Sequence, residues 1–107
     1  METIAVSNVV DLWEAWVDVS EGFKLYVLGT VHTGRSKTTP VLVKRKVPGV
    51  PSSHLILEVL PCLHRESGRQ TEIAYTESVS HLNQYNQISI CAGEDVLVRI
   101  HDIEVFY

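Results

Sequence analysis

Apolar and polar residues alternate with a period of two along nearly the whole of this 107-residue chain. That spacing marks half-buried β-strands. It runs through Thr3–Ser7, Phe23–His32, Val41–Val47, Thr71–Thr76 and Gln87–Cys91. His54–Leu60 is almost wholly apolar and reads as a central strand covered on both sides. Turn residues punctuate the runs at Ser20-Glu21-Gly22, Pro48-Gly49, Glu66-Ser67-Gly68 and Ala92-Gly93-Glu94.

Two stretches need a decision. Val9, Leu12, Trp13, Trp16 and Val17 fit helical spacing, while Trp13, Ala15, Val17 and Val19 fit strand spacing. The turn that follows favours a strand hairpin with Phe23–His32, and a short N-terminal helix is the alternative. Near the C-terminus, Val96, Val98 and Ile100 alternate in one phase and Ile103, Val105 and Tyr107 in the other. A β-bulge near His101-Asp102 would keep both sets on one face.

Seven to eight such strands predict an all-β domain spanning 1–107, an antiparallel β-sandwich of immunoglobulin-like architecture. A small β-barrel carrying the short N-terminal helix is the alternative. The cysteine and tryptophan order of antibody domains is absent, because both tryptophans precede Cys62 and Cys91. Any likeness is architectural, and architecture does not specify function.

Composition agrees with a globular chain, at 45% hydrophobic and 21% charged residues. No apolar run reaches the roughly 18 residues of a membrane span. The N-terminus lacks a signal-peptide pattern, which favours a cytoplasmic location unless Met1 replaces a removed signal. Cys62 and Cys91 lie in apolar contexts and read as buried free thiols, with one bridge between them the alternative.

Charge changes the picture most. The net charge is -4, yet no acid lies between Glu21 and Glu58, where Lys24, Arg35, Lys37, Lys44, Arg45 and Lys46 fall. Segregated charge of this kind steers association. It also guards sheet edges against unwanted pairing. The expected arrangement is a hairpin of Phe23–His32 with Val41–Val47, closed by the loop bearing Arg35 and Lys37. Lys44 and Lys46 then share one face, and Arg45 lies with Val43 on the apolar side. Arg35, Lys37, Lys44 and Lys46 are the candidate contact residues for an anionic protein surface or a second copy of the chain. Nucleic acid is disfavoured by the acidic balance.

Catalytic patterns are weak. Gly29-Thr30-Val31-His32-Thr33-Gly34-Arg35-Ser36 approaches a phosphate-binding loop, but Arg replaces Lys and a β-run, not a helix, follows. Five histidines show no metal-site spacing, so neither metal nor cofactor is expected. Ser80-His81 are chain neighbours, which a strand would aim apart. Glu72 and Glu77 lie at opposite parity. Glu58, within an apolar run, is expected to face a Lys or Arg across the sheet. Trp13, Trp16 and Tyr26 are candidate aromatic contacts; on a strand the two tryptophans point to opposite faces. The leading expectation is a non-catalytic binding or assembly module acting through protein contacts, self-association included. A small-ligand or carbohydrate binder comes second, and an enzyme using Cys62, His64 and Glu58 third.

Overall fold

A computed structural model describes residues 13–20, 22–32, 39–60 and 70–106. These residues are all-β. Eight strands are β1 (Glu14–Asp18), β2 (Lys24–His32), β3 (Val41–Arg45), β4 (His54–Leu60), β5 (Gln70–Ser78), β6 (Gln87–Ala92), β7 (Asp95–Ile100) and β8 (Glu104–Phe106). They form two four-stranded sheets. The first is ordered β5-β2-β1-β8 and the second β3-β4-β6-β7. There is no helix among the described residues, and the sheets do not close into a barrel.

Both sheets are mixed, which corrects the expectation of wholly antiparallel pairing. β1 runs parallel to β8, and β4 runs parallel to β6. The physical reason is that the chain repeatedly leaves one sheet for the other. β5 ends in the first sheet and β6 begins in the second, so β6 need not fold back on its predecessor. β4 does lie between β3 and β6, but the expected cover on both sides is not found. Leu55, Leu57 and Val59 are buried, Ile56 and Glu58 are half-buried and Leu60 is 38% exposed, because each sheet packs against the other on one face.

The N-terminal segment is a strand from Glu14, paired with β2 as a hairpin in which Asp18 faces Lys24. Val9–Leu12 lie outside the described residues. The Asp18 carboxylate accepts hydrogen bonds from Ser20 N–H at 2.8 Å and Ser20 O–H at 2.6 Å. Such a local bond shapes the turn. It also holds the Asp18 carboxyl below its ordinary pKa. Gly22 then takes φ +97°, a conformation open to glycine at little cost.

The expected hairpin of β2 with β3 does not form. β2 is flanked by β1 and β5 in the first sheet, and among the described residues β3 pairs with β4 alone, at the edge of the second. The connecting residues 33–38, which include Arg35 and Lys37, lie outside the described residues. The expected bulge at His101-Asp102 is replaced by a crossing: β7 lies in the second sheet and β8 in the first. The phase change marks a change of sheet. A register shift does occur, but earlier, between Ile90 and Cys91, and it leaves Val96 44% exposed.

One cluster of buried side chains draws on both sheets. Val17, Leu25, Val27 and Ile73 come from the first, and Leu42, Leu55, Leu57, Val59, Ile88 and Ile90 from the second. Leu57, Ile88 and Ile90 are wholly buried. Burying a side chain of this size contributes about 1.5–3 kcal/mol. The 79–86 loop crosses between the sheets and is stitched to each. Val79 N–H donates to Phe23 O at 3.0 Å, and Asn86 N–H donates to Ser53 O at 2.9 Å. Among the described residues no helix is long and apolar enough to cross a membrane.

Candidate functional site

Strand β3 and the residue after it carry three consecutive cations, Lys44, Arg45 and Lys46, and the geometry sends them to different places. In this strand Leu42 is buried while Val41 is 49% exposed, so even positions face the interior. Val43 and Arg45 share the outer side. The apolar side expected from the valines is thus the outer one, because Leu42 and not the valines meets the core.

Lys44 follows Leu42 toward the interior. Its ammonium donates to Tyr85 Oη at 2.9 Å and lies 3.4 Å from Glu77 Oε2. Tyr85 O–H donates to the same carboxylate oxygen at 2.7 Å, and Tyr75 O–H donates to Oε1 at 2.6 Å. Glu77 sits on β5 of the first sheet and Lys44 on β3 of the second, so this network bridges the sheets. Burial is the largest single influence on Glu77 and opposes its charge. The bonds from Tyr75 and Tyr85 with the Lys44 ammonium outweigh it and hold the carboxyl below its ordinary value. The bond to Tyr85 chiefly raises the Lys44 pKa, against burial. Burial and the bond to Glu77 raise that of Tyr75.

Arg45 lies 3.8 Å from Glu58 of the neighbouring strand, the cross-strand partner expected for that carboxylate. Lys46 is exposed and makes no ion pair among the described residues. After it the chain turns twice. Pro48 and Gly49, the latter at φ +86°, fit a type II turn closed by Val50 N–H to Val47 O at 3.2 Å. His54 N–H then bonds Pro51 O at 3.0 Å. A half-open cleft of about 570 Å³ lies among these turns, the three cations, His54 and the 79–86 loop. No acid lines it.

A second surface gathers on the outer face of the first sheet. Trp16 of β1 faces Tyr26 of β2, and their rings stack at 5.4 Å with 13° between planes. Phe106 of β8 lies 5.9 Å from Trp16 on the other side and is 49% exposed. Lys24 Nζ sits 5.6 Å from the Tyr26 ring centre. Trp13 is not part of this strip. Its parity matches Ala15 and Val17, and it packs against the core. There it covers Gly29, where an added Cβ would fall on the indole ring. Among the described residues its N–H finds no acceptor. The two tryptophans therefore do point to opposite faces.

Other candidate chemistry disperses. Cys62 and His64 lie outside the described residues, and Glu58 faces Arg45. Cys91 is a free, half-buried thiol whose pKa is raised by burial. Glu72 is exposed on the outer face while Glu77 faces the interior. Among the described residues no three His, Cys, Asp or Glu side chains converge to hold a metal ion.

Sequence reasoning weighed Glu77 only as half of a carboxylate pair with Glu72, and did not single out Tyr75, Tyr85 or Phe106 as site residues. A signal existed for two of them. Glu77 continues the inward parity of Ile73 and Tyr75, and Phe106 opposes that of Val105. Neither parity reveals which strands become neighbours. Searches for similar proteins return no matching family model, no curated protein and no solved structure.

Proposed function

We propose that this chain is a non-catalytic assembly module that docks a second copy of itself through the Trp16–Tyr26–Phe106 strip. The observation that carries the reading is the strip itself: aromatic rings from adjacent strands, held together and open to solvent at Phe106. Clustered aromatic side chains are the typical anchors of protein interfaces. Charge supports a copy as the occupant. Lys24 of β2 stands on one side of Trp16 and Glu104 of β8 on the other, both exposed. A two-fold axis along β1 lays β2 of each copy over β8 of the other. Lys24 then approaches Glu104 and the Phe106 ring of its counterpart, and the same contact forms twice.

The fold reading that accompanies this proposal is a β-sandwich of immunoglobulin-like architecture. A core shared between the two sheets supports the sandwich. The parallel β1–β8 and β4–β6 pairs give it a strand order unlike the antiparallel sheets of antibody domains.

Sedimentation over a wide concentration range tests the assembly reading. The expected result is a reversible dimer whose dissociation constant rises at least about tenfold in Phe106→Ser, a loss of about 1.4 kcal/mol. A wild-type chain that stays monomeric at millimolar concentration contradicts it.

A further inference from the structure

The cleft on the second sheet is independent of the aromatic strip and has its own chemistry. We infer that it binds a small organic phosphate, with the dianionic head against Lys46 and Arg45 and an apolar body along Val47, Val50 and Ile56. The volume of about 570 Å³ suits such a molecule. It is generous for inorganic phosphate alone, which would leave the apolar wall uncovered.

Charge selects the head group. The cations on this wall are not equally available. Lys44 is tied to Glu77 and Tyr85, so it serves as a fixed wall of the cleft. Among the described residues Arg45 pairs with Glu58 at a long 3.8 Å. Lys46 has no ion pair among the described residues. Lys46 is thus unmatched and Arg45 only loosely matched among the described residues, so the wall favours a head group with enough oxygens to accept from both. A phosphate monoester carries about -1.5 to -2 charge at neutral pH, whereas a carboxylate supplies one. His54 and His81 add ring nitrogens as hydrogen-bond partners. The His54 ring is held by a 2.7 Å hydrogen bond between Nε2 and Ser89 Oγ. No described acid is among the lining residues, although Glu77 and Glu58 stand against Lys44 and Arg45, and Lys46 is the cation left to lead the anion in. The two turns at 47–54 fix the apolar wall through backbone hydrogen bonds, so the ligand need not order it.

The test is a backbone-amide NMR titration of the full chain with phenyl phosphate, benzoate, phenol and inorganic phosphate. Phenyl phosphate is expected to give saturable shifts confined to residues 44–56 and 81–85. Benzoate, phenol and inorganic phosphate are each expected to bind at least about tenfold more weakly. Arg45→Gln combined with Lys46→Gln is expected to weaken phenyl phosphate at least about tenfold while leaving shifts elsewhere unchanged, which shows that the fold persists. Lys46→Gln alone, at an exposed position, is expected to weaken it about threefold. Saturable binding that survives both substitutions overturns the inference. So do shifts spread over the whole surface, equal binding of benzoate, or no saturable shift with phenyl phosphate.

Discussion

The basic strand β3 and the aromatic strip of the first sheet are assembled in opposite ways. At the end of β3 three cations are adjacent in the chain and separate in space. Lys44 turns inward to Glu77, Arg45 turns outward to Glu58, and Lys46 reaches solvent beyond the strand. On the first sheet Trp16, Tyr26 and Phe106 are far apart in the chain and meet in space. Alternation disperses neighbours along a strand, and pairing gathers residues across strands. A run of like charge is therefore a poor guide to a surface in a β-protein, and scattered rings can be a good one.

The two regions also differ in what a substitution should do. Lys44 belongs to a network that ties the sheets together, so its loss is structural. The strip faces solvent, so its loss should fall mainly on association. The largest effect is expected from Glu77→Ala. It strips the acceptor from Tyr75 and Tyr85 and leaves Lys44 without its acid. A cost of about 2–4 kcal/mol follows from leaving half-buried partners unmet, read as a fall in urea midpoint at constant slope.

Gly29→Ala comes next. The new methyl falls on the Trp13 ring, which must move within the packed core. A loss of about 1–3 kcal/mol is expected, with a change in tryptophan fluorescence. An unchanged stability would mean that Trp13 is not held over Gly29.

Acid should act through the same network. Because the Glu77 carboxyl is depressed in the folded state, its stabilisation is complete above the ordinary value of 4.5 and is lost as pH falls through the folded value. Urea midpoints from pH 7 to 3 should therefore decline below about pH 4.5, more steeply in the wild type than in Glu77→Gln. Parallel curves would remove Glu77 as the acid-sensitive link.

Trp16→Ala should cost about 1–2 kcal/mol in monomer stability, the worth of two ring contacts on a solvated face, and should abolish self-association. Arg45→Ala should be the mildest, at or below about 1 kcal/mol, because a 3.8 Å exposed ion pair contributes little.

Much of the fold was legible from alternation. The strand reading of Val10–Val19, found at Glu14–Asp18 with Val10–Leu12 outside the described residues, the central place of His54–Leu60 and the opposite faces of Trp13 and Trp16 all follow from periodicity within one segment. The errors concern relations between segments. The expected β2–β3 hairpin assumed that consecutive strands pair, whereas the chain crosses sheets between them. The phase change at His101-Asp102 predicts a bulge, and a change of sheet produces the same parity signal. The aromatic strip was half legible: Trp16 and Tyr26 stood out as residues, and Phe106 joins them only through the parallel β1–β8 pairing. That pairing leaves no local trace, since parallel partners are joined by no turn.

The most direct measurement is sedimentation equilibrium of three chains across a salt series: the wild type, Trp16→Ser with Phe106→Ser, and Lys44→Glu with Lys46→Glu. The expected result is a wild-type dimer that weakens only slightly with salt, a dissociation constant raised at least about tenfold by the aromatic pair of substitutions, and little change from the charge pair once folding is checked. A dimer dissolved by salt and by the charge reversals, yet indifferent to loss of the rings, would contradict it and return the basic strand to the centre.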